Sequence, residues 1–96
     1  MVVTDIIKFL NSLVHNRFNE ETLTNKLSEF FDYKVKLFIS DYESPDYSYC
    51  FNIDKDKDDL YLDVDIYYLN QKNTSFDGST FYITEVSYDF NYSLTQ

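Results

Sequence analysis

Apolar residues recur along this chain first every three or four positions and then every second position. Ile6, Ile7, Leu10, Leu13 and Val14 share one face at helical spacing, which predicts a helix over residues 4–15 with Thr4 as its N-cap. Asn16 and Asn19 bracket a short break. Asn19 then caps a second helix over 20–31, with Glu20 and Glu21 in the first turn, where the positive end of the helix dipole favours acids. Phe18 before the cap and Leu23 inside the helix suit a hydrophobic staple, and Leu23, Leu27, Phe30 and Phe31 mark the buried face.

From Tyr33 onward the period falls to two. Tyr33, Val35, Leu37 and Ile39 predict a strand over 33–40. A turn over Asp41 to Asp46 holds the only proline, Pro45. Tyr47, Tyr49, Phe51 and Ile53 form the apolar row of a second strand, 47–53, opposed by Ser48, Cys50 and Asn52. After an acidic turn at 54–59, Leu60, Leu62, Val64, Ile66 and Tyr68 alternate with Tyr61, Asp63, Asp65 and Tyr67, giving a third strand over 60–69. A loop with the only glycine, Gly78, leads to a fourth strand over 80–90. There Phe81 and Ile83 share one parity while Val86, Tyr88 and Phe90 share the other, and a β-bulge near Glu85 reconciles them. The expected fold is one α+β domain over 1–96, with two N-terminal helices packed on one face of a four-stranded antiparallel meander.

Composition narrows the class. With 96 residues, 44% of them hydrophobic, the chain can bury a core of its own. The lone cysteine, Cys50, excludes an internal disulfide and a multi-cysteine zinc site, and suits a reducing cytoplasm. The opening Met1-Val2-Val3-Thr4-Asp5 lacks the basic and apolar regions of a signal peptide, and no apolar run reaches a membrane span. The chain is therefore expected in the cytoplasm, where the triplets Asn73-Thr74-Ser75 and Asn91-Tyr92-Ser93 are not glycosylation sites.

Charge changes the picture most. Net charge is −9. Residues 1–40 carry five acids and five bases, whereas residues 41–96 carry twelve acids and three bases, so the whole excess lies in the strand-forming part. Asp63 and Asp65 project from one face, about 6.6–6.8 Å apart at the usual strand rise, with Tyr61 and Tyr67 flanking them. The preceding turn adds Asp54, Asp56, Asp58 and Asp59. Like charges this close repel and cost stability. A row of carboxylates among tyrosines can imitate nucleic-acid phosphates and offers rigid contact area to a basic protein. The plain alternative is a solvated face that keeps a small protein soluble.

Other chemistry is weaker. Asp54, Asp56 and Asp58 alternate as in a calcium loop with Asp65 at the twelfth place, but Asp59 stands where the sharp turn needs glycine, and Lys55 and Lys57 oppose a cation. His15, the only histidine, falls late in the first helix without a partnering nucleophile or carboxylate and is read as structural. Cys50 has no activating neighbour. Paired carboxylates need a cleft with two environments to act as acid and base, which a two-layer domain of this size hardly supplies. No enzyme activity, metal or cofactor is expected.

The expected function is inhibition of a basic, nucleic-acid-binding protein through Asp54, Asp56, Asp58, Asp59, Tyr61, Asp63, Asp65 and Tyr67, without direct contact to nucleic acid or membrane. In size, acidity and aromatic content the chain resembles phage or plasmid anti-defence proteins, including anti-CRISPR and anti-restriction inhibitors. The resemblance lies in composition and assigns no residue a role. Two alternatives stand beside it: an immunity protein that neutralises a toxin such as a nuclease, and an adaptor or oligomer subunit that binds through its helices.

Overall fold

The computed structural model describes residues 2–41, 46–69 and 80–90. The Pro45 turn, the Gly78 loop and both Asn-X-Ser triplets lie outside the described residues. Helix α1 (Val3–Ser12) leads to strand β1 (Arg17–Asn19), helix α2 (Glu20–Phe31), and strands β2 (Phe38–Asp41), β3 (Asp46–Lys55), β4 (Leu60–Leu69) and β5 (Thr80–Phe90). One 3-10 turn, Asp56–Asp58, joins β3 to β4. The class is α+β as expected, but the sheet has five antiparallel strands in the order β1-β5-β4-β3-β2.

The fifth strand comes from the break between the helices. Arg17, Phe18 and Asn19 pair with Tyr82, Phe81 and Thr80. Just before them, His15 donates its backbone N–H to the Ile83 carbonyl at 2.8 Å, and the Ile83 N–H donates to the Asn16 carbonyl at 3.0 Å. His15 reaches this position with φ 68, which ends the helical path, so α1 stops at Ser12 and not at residue 15. Its N-cap is Val2, without a side-chain hydrogen bond, and Thr4 lies inside the helix.

Helix α2 has the predicted limits for the predicted reason: Asn19 Oδ1 accepts from the Thr22 N–H at 2.6 Å. It closes on Asp32 at φ 49, whose N–H bonds the Ser28 carbonyl. The expected strand over 33–40 shrinks to its last part because Ser28 holds the chain further. The Tyr33 N–H donates to the Ser28 carbonyl at 3.2 Å and the Val35 N–H to Ser28 Oγ at 3.1 Å. Val35 is buried, but its backbone serves the helix end and not a sheet neighbour.

One core lies between helices and sheet. Ile6, Leu10 and Leu13 of the α1 segment and Leu23, Leu27 and Phe31 of α2 meet the inward rows of β3, β4 and β5. Inward residues are Tyr49, Phe51 and Ile53; Leu60, Leu62, Val64, Ile66 and Tyr68; Phe81 and Ile83. The parity change in β5 is a bulge at Thr84: Tyr67 faces Glu85, whereas the next residue, Tyr68, faces Ile83. Thr84 Oγ1 donates to the Tyr67 carbonyl at 3.3 Å. Beyond the bulge Val86, Tyr88 and Phe90 turn inward and pack on the core's rim. Tyr49 stacks on Tyr68 at 4.8 Å and donates its hydroxyl to Glu20 at 3.3 Å, tying the start of α2 to the sheet. Burial raises the Tyr49 pKa well above the ordinary tyrosine value, with Tyr68 and Glu20 adding to it.

Candidate protein-binding face

Residues directly opposite one another on antiparallel strands point to the same side. The register therefore defines the surface turned away from the helices. Asp63 of β4 lies between Asn52 of β3 and Asp89 of β5. Asp65 lies between Cys50 and Ser87, Tyr67 between Ser48 and Glu85, and Tyr61 beside Asp54. On this outer side β4 presents Tyr61, Asp63, Asp65 and Tyr67, the row expected from its alternation.

Asp54, Asp63, Asp65, Glu85 and Asp89 thus share one sheet face. Among the described residues, no ion pair joins any of these five to a lysine or arginine. Lys8 and Lys26 lie on the helices and Lys34 and Lys36 on the link after α2, whereas Arg17 of β1 stands on the outer side of the sheet beside Tyr82. The negative charge of the outer face is not neutralised by the helical layer. Glu85 and Asp89 were outside the predicted site. Their signal was present in the sequence, since a bulge that turns Val86, Tyr88 and Phe90 inward turns Glu85, Ser87 and Asp89 outward.

The connecting turn does not join this face as a block. Lys55 Nζ meets Asp58 at 3.0 Å and also donates to the Phe31 carbonyl at the end of α2, at 2.9 Å. Asp58 is therefore compensated, and its cation sits where the negative end of the helix dipole favours one. Asp56 accepts the Tyr61 hydroxyl, which pushes the Tyr61 pKa up to about 12. Asp59 stays exposed at φ 51, the left-handed residue that closes the hairpin. Of the eight residues singled out from sequence, Asp54, Tyr61, Asp63, Asp65 and Tyr67 share the face. Asp56 and Asp59 border it at the turn, and Asp58 is taken up by Lys55.

The calcium-loop spacing folds as a tight acidic turn. The stretch forms a 3-10 turn between strands, and among the described residues no group of three or more His, Cys, Asp or Glu is arranged to hold a metal. His15 meets Tyr82 through Nδ1 at 3.0 Å, beside Arg17, whose guanidinium carbon lies 5.9 Å from the Tyr82 ring centre. Cys50 is half-buried on the outer face between Phe38 and Asp65. Phe38 is 58% exposed there, and together with Cys50, Asn52, Asp63 and Asp65 it borders an open depression of about 360 Å³.

Compared with known proteins, the chain matches no family model, no curated protein and no solved structure. Among the described residues no helix is long and apolar enough to cross a membrane.

Proposed function

We propose that this protein is a small non-enzymatic inhibitor that lays its outer sheet face on the basic, nucleic-acid-binding surface of a partner protein in the cytoplasm. One observation carries the reading. Five carboxylates stand on a single sheet face, directed away from the helices, without an ion pair to a described lysine or arginine. Such a face pays a standing cost in self-repulsion that a cationic partner relieves. A row of fixed carboxylates presents to that partner what a phosphate backbone presents, so the two compete for the same lysines and arginines. Tyr61 and Tyr67, half-buried on the same row, add contact area that loses little side-chain freedom on binding.

The test is competition. The protein, immobilised, captures its partner from host lysate at low salt and releases it stepwise as salt rises. The captured partner is then loaded with labelled nucleic acid and titrated with the protein. Displacement whose affinity falls steeply with salt supports the proposal. Simultaneous binding of nucleic acid and protein, with no effect of salt, rejects it.

A further inference from the structure

The outer face is not uniformly acidic. At the edge of the sheet β2 places Phe38 beside Cys50, and Cys50 beside Asp65. Phe38 is an aromatic ring more than half open to water, on the outward side of an edge strand. The depression next to it has one apolar wall, from Phe38 and Cys50, and one polar wall, from Asn52, Asp63 and Asp65. Asp63 and Asp65 follow each other on the same side of β4, and neither is paired with a cation among the described residues.

We infer that this depression is a socket for an arginine side chain of the partner, and that it makes the acidic face prefer arginine to lysine. The inference deepens the proposed function and rests on it for the partner's identity, but not for the chemistry of the socket. A guanidinium is planar and weakly hydrated. It can lie against an aromatic ring while its N–H groups fork onto carboxylates. An ammonium is a compact, strongly hydrated charge that gains little from an apolar wall. Charge alone attracts both cations alike; the fork onto carboxylates favours arginine on any acidic surface, and the ring beside them adds to that preference here. Asn52 and the Asp63–Asp65 pair supply acceptors on one side, and Phe38 supplies the stacking surface on the other.

The experiment titrates the folded chain with two labelled hexapeptides of equal charge, one of arginine and one of lysine, at fixed salt. The expected result is tighter binding of the arginine peptide by roughly two- to fivefold, the range of an exposed cation–π contact. Amide chemical-shift changes should centre on Phe38, Cys50, Asn52, Asp63 and Asp65. Phe38→Ser, at an exposed position, should narrow the gap between the two affinities, and Asp65→Asn should weaken both. Equal affinities for the unaltered chain overturn the socket without requiring any variant to fold. A preference undiminished in Phe38→Ser, with the variant's circular dichroism unchanged, overturns it as well. Failure of the proposed function is read separately. If arginine preference holds at these residues but nucleic acid is not displaced from the captured partner, the socket stands and the inhibitory role falls. If displacement occurs without arginine preference, the role stands and the socket falls.

Discussion

Asp63 and Asp89 stand directly opposite each other on β4 and β5, two like charges in one cross-strand pair. Cross-strand partners have Cβ atoms roughly 4.5–5.5 Å apart, and like charges in that position are unfavourable. A sheet selected only for stability would not keep this pair. Replacing either member, as Asp63→Asn or Asp89→Asn, is expected to stabilise the fold by about 0.2–1 kcal/mol. Urea denaturation at low ionic strength measures it. Added salt should narrow the difference, because it screens the repulsion only in the unaltered chain. A destabilised Asp63→Asn variant would show that the pair is relieved by some other contact.

The double change Asp63→Asn with Asp65→Asn is expected to slow association with the partner and flatten its salt dependence, leaving the circular dichroism spectrum unchanged. Both side chains lie outside the core, so binding and folding separate. Stopped-flow mixing at several salt concentrations reads the effect, and identical rates for variant and parent would remove the acidic row from the interface.

Tyr61 offers a pH test. Its neutral hydroxyl donates to Asp56, so the folded pKa lies near 12, above the ordinary value of 10. A group with a raised folded pKa gives its full stabilisation below the unfolded value and loses it as pH climbs through the folded one. The Tyr61–Asp56 contact therefore persists through neutral pH and is lost between about pH 10 and 12. In a near-ultraviolet absorbance titration, Asp56→Asn should move one late-ionising tyrosine back toward 10, and Tyr61→Phe should delete that step. Curves that superimpose for all three proteins would exclude the contact.

Leu27 lies at the centre of α2's buried face with no exposed surface. Leu27→Ala is expected to cost about 2–5 kcal/mol by removing transfer energy and leaving a cavity. Guanidinium denaturation gives the value directly. A loss well under 1 kcal/mol would be incompatible with a core position.

Asn19 closes the first turn of α2 through Thr22. Asn19→Ala should cost roughly 0.5–2 kcal/mol, and Asn19→Asp much less, because a carboxylate still accepts the Thr22 N–H and suits the dipole. Equal losses for both variants would mean that the side-chain cap is not what stabilises this end.

These elements also mark what the chain reveals before it is folded. Helix α2 is legible because cap, acidic first turn and apolar face agree over Asn19 to Phe31. Strand β4 is legible because ten residues alternate without a break, and the β5 bulge because a parity change can be absorbed in no other way. Strand β1 is not legible: three residues carry no period, and Arg17 to Asn19 become a strand only because Phe81 and its neighbours lie alongside. The link after α2 alternates like a strand, yet Ser28 takes the Val35 N–H that a strand would offer its neighbour. The acidic face was legible as a row on β4. Its extension to Asp89 and Glu85, and the loss of Asp58 to Lys55, depend on cross-strand register and on a lysine reaching the far end of a helix.

The backbone pairing of His15 and Asn16 with Ile83 has a consequence for synthesis. The segment that leaves the ribosome early finds its hydrogen-bonding partner only in residues 80–90, which leave it late. Phe9 of α1 can meet Phe30 of α2 as soon as both have emerged, whereas Phe18 waits for Phe81, its partner across the strand pair. Completion of the sheet at β1 is thus expected to follow the closing of a long-range contact, a step whose loop-closure cost slows folding.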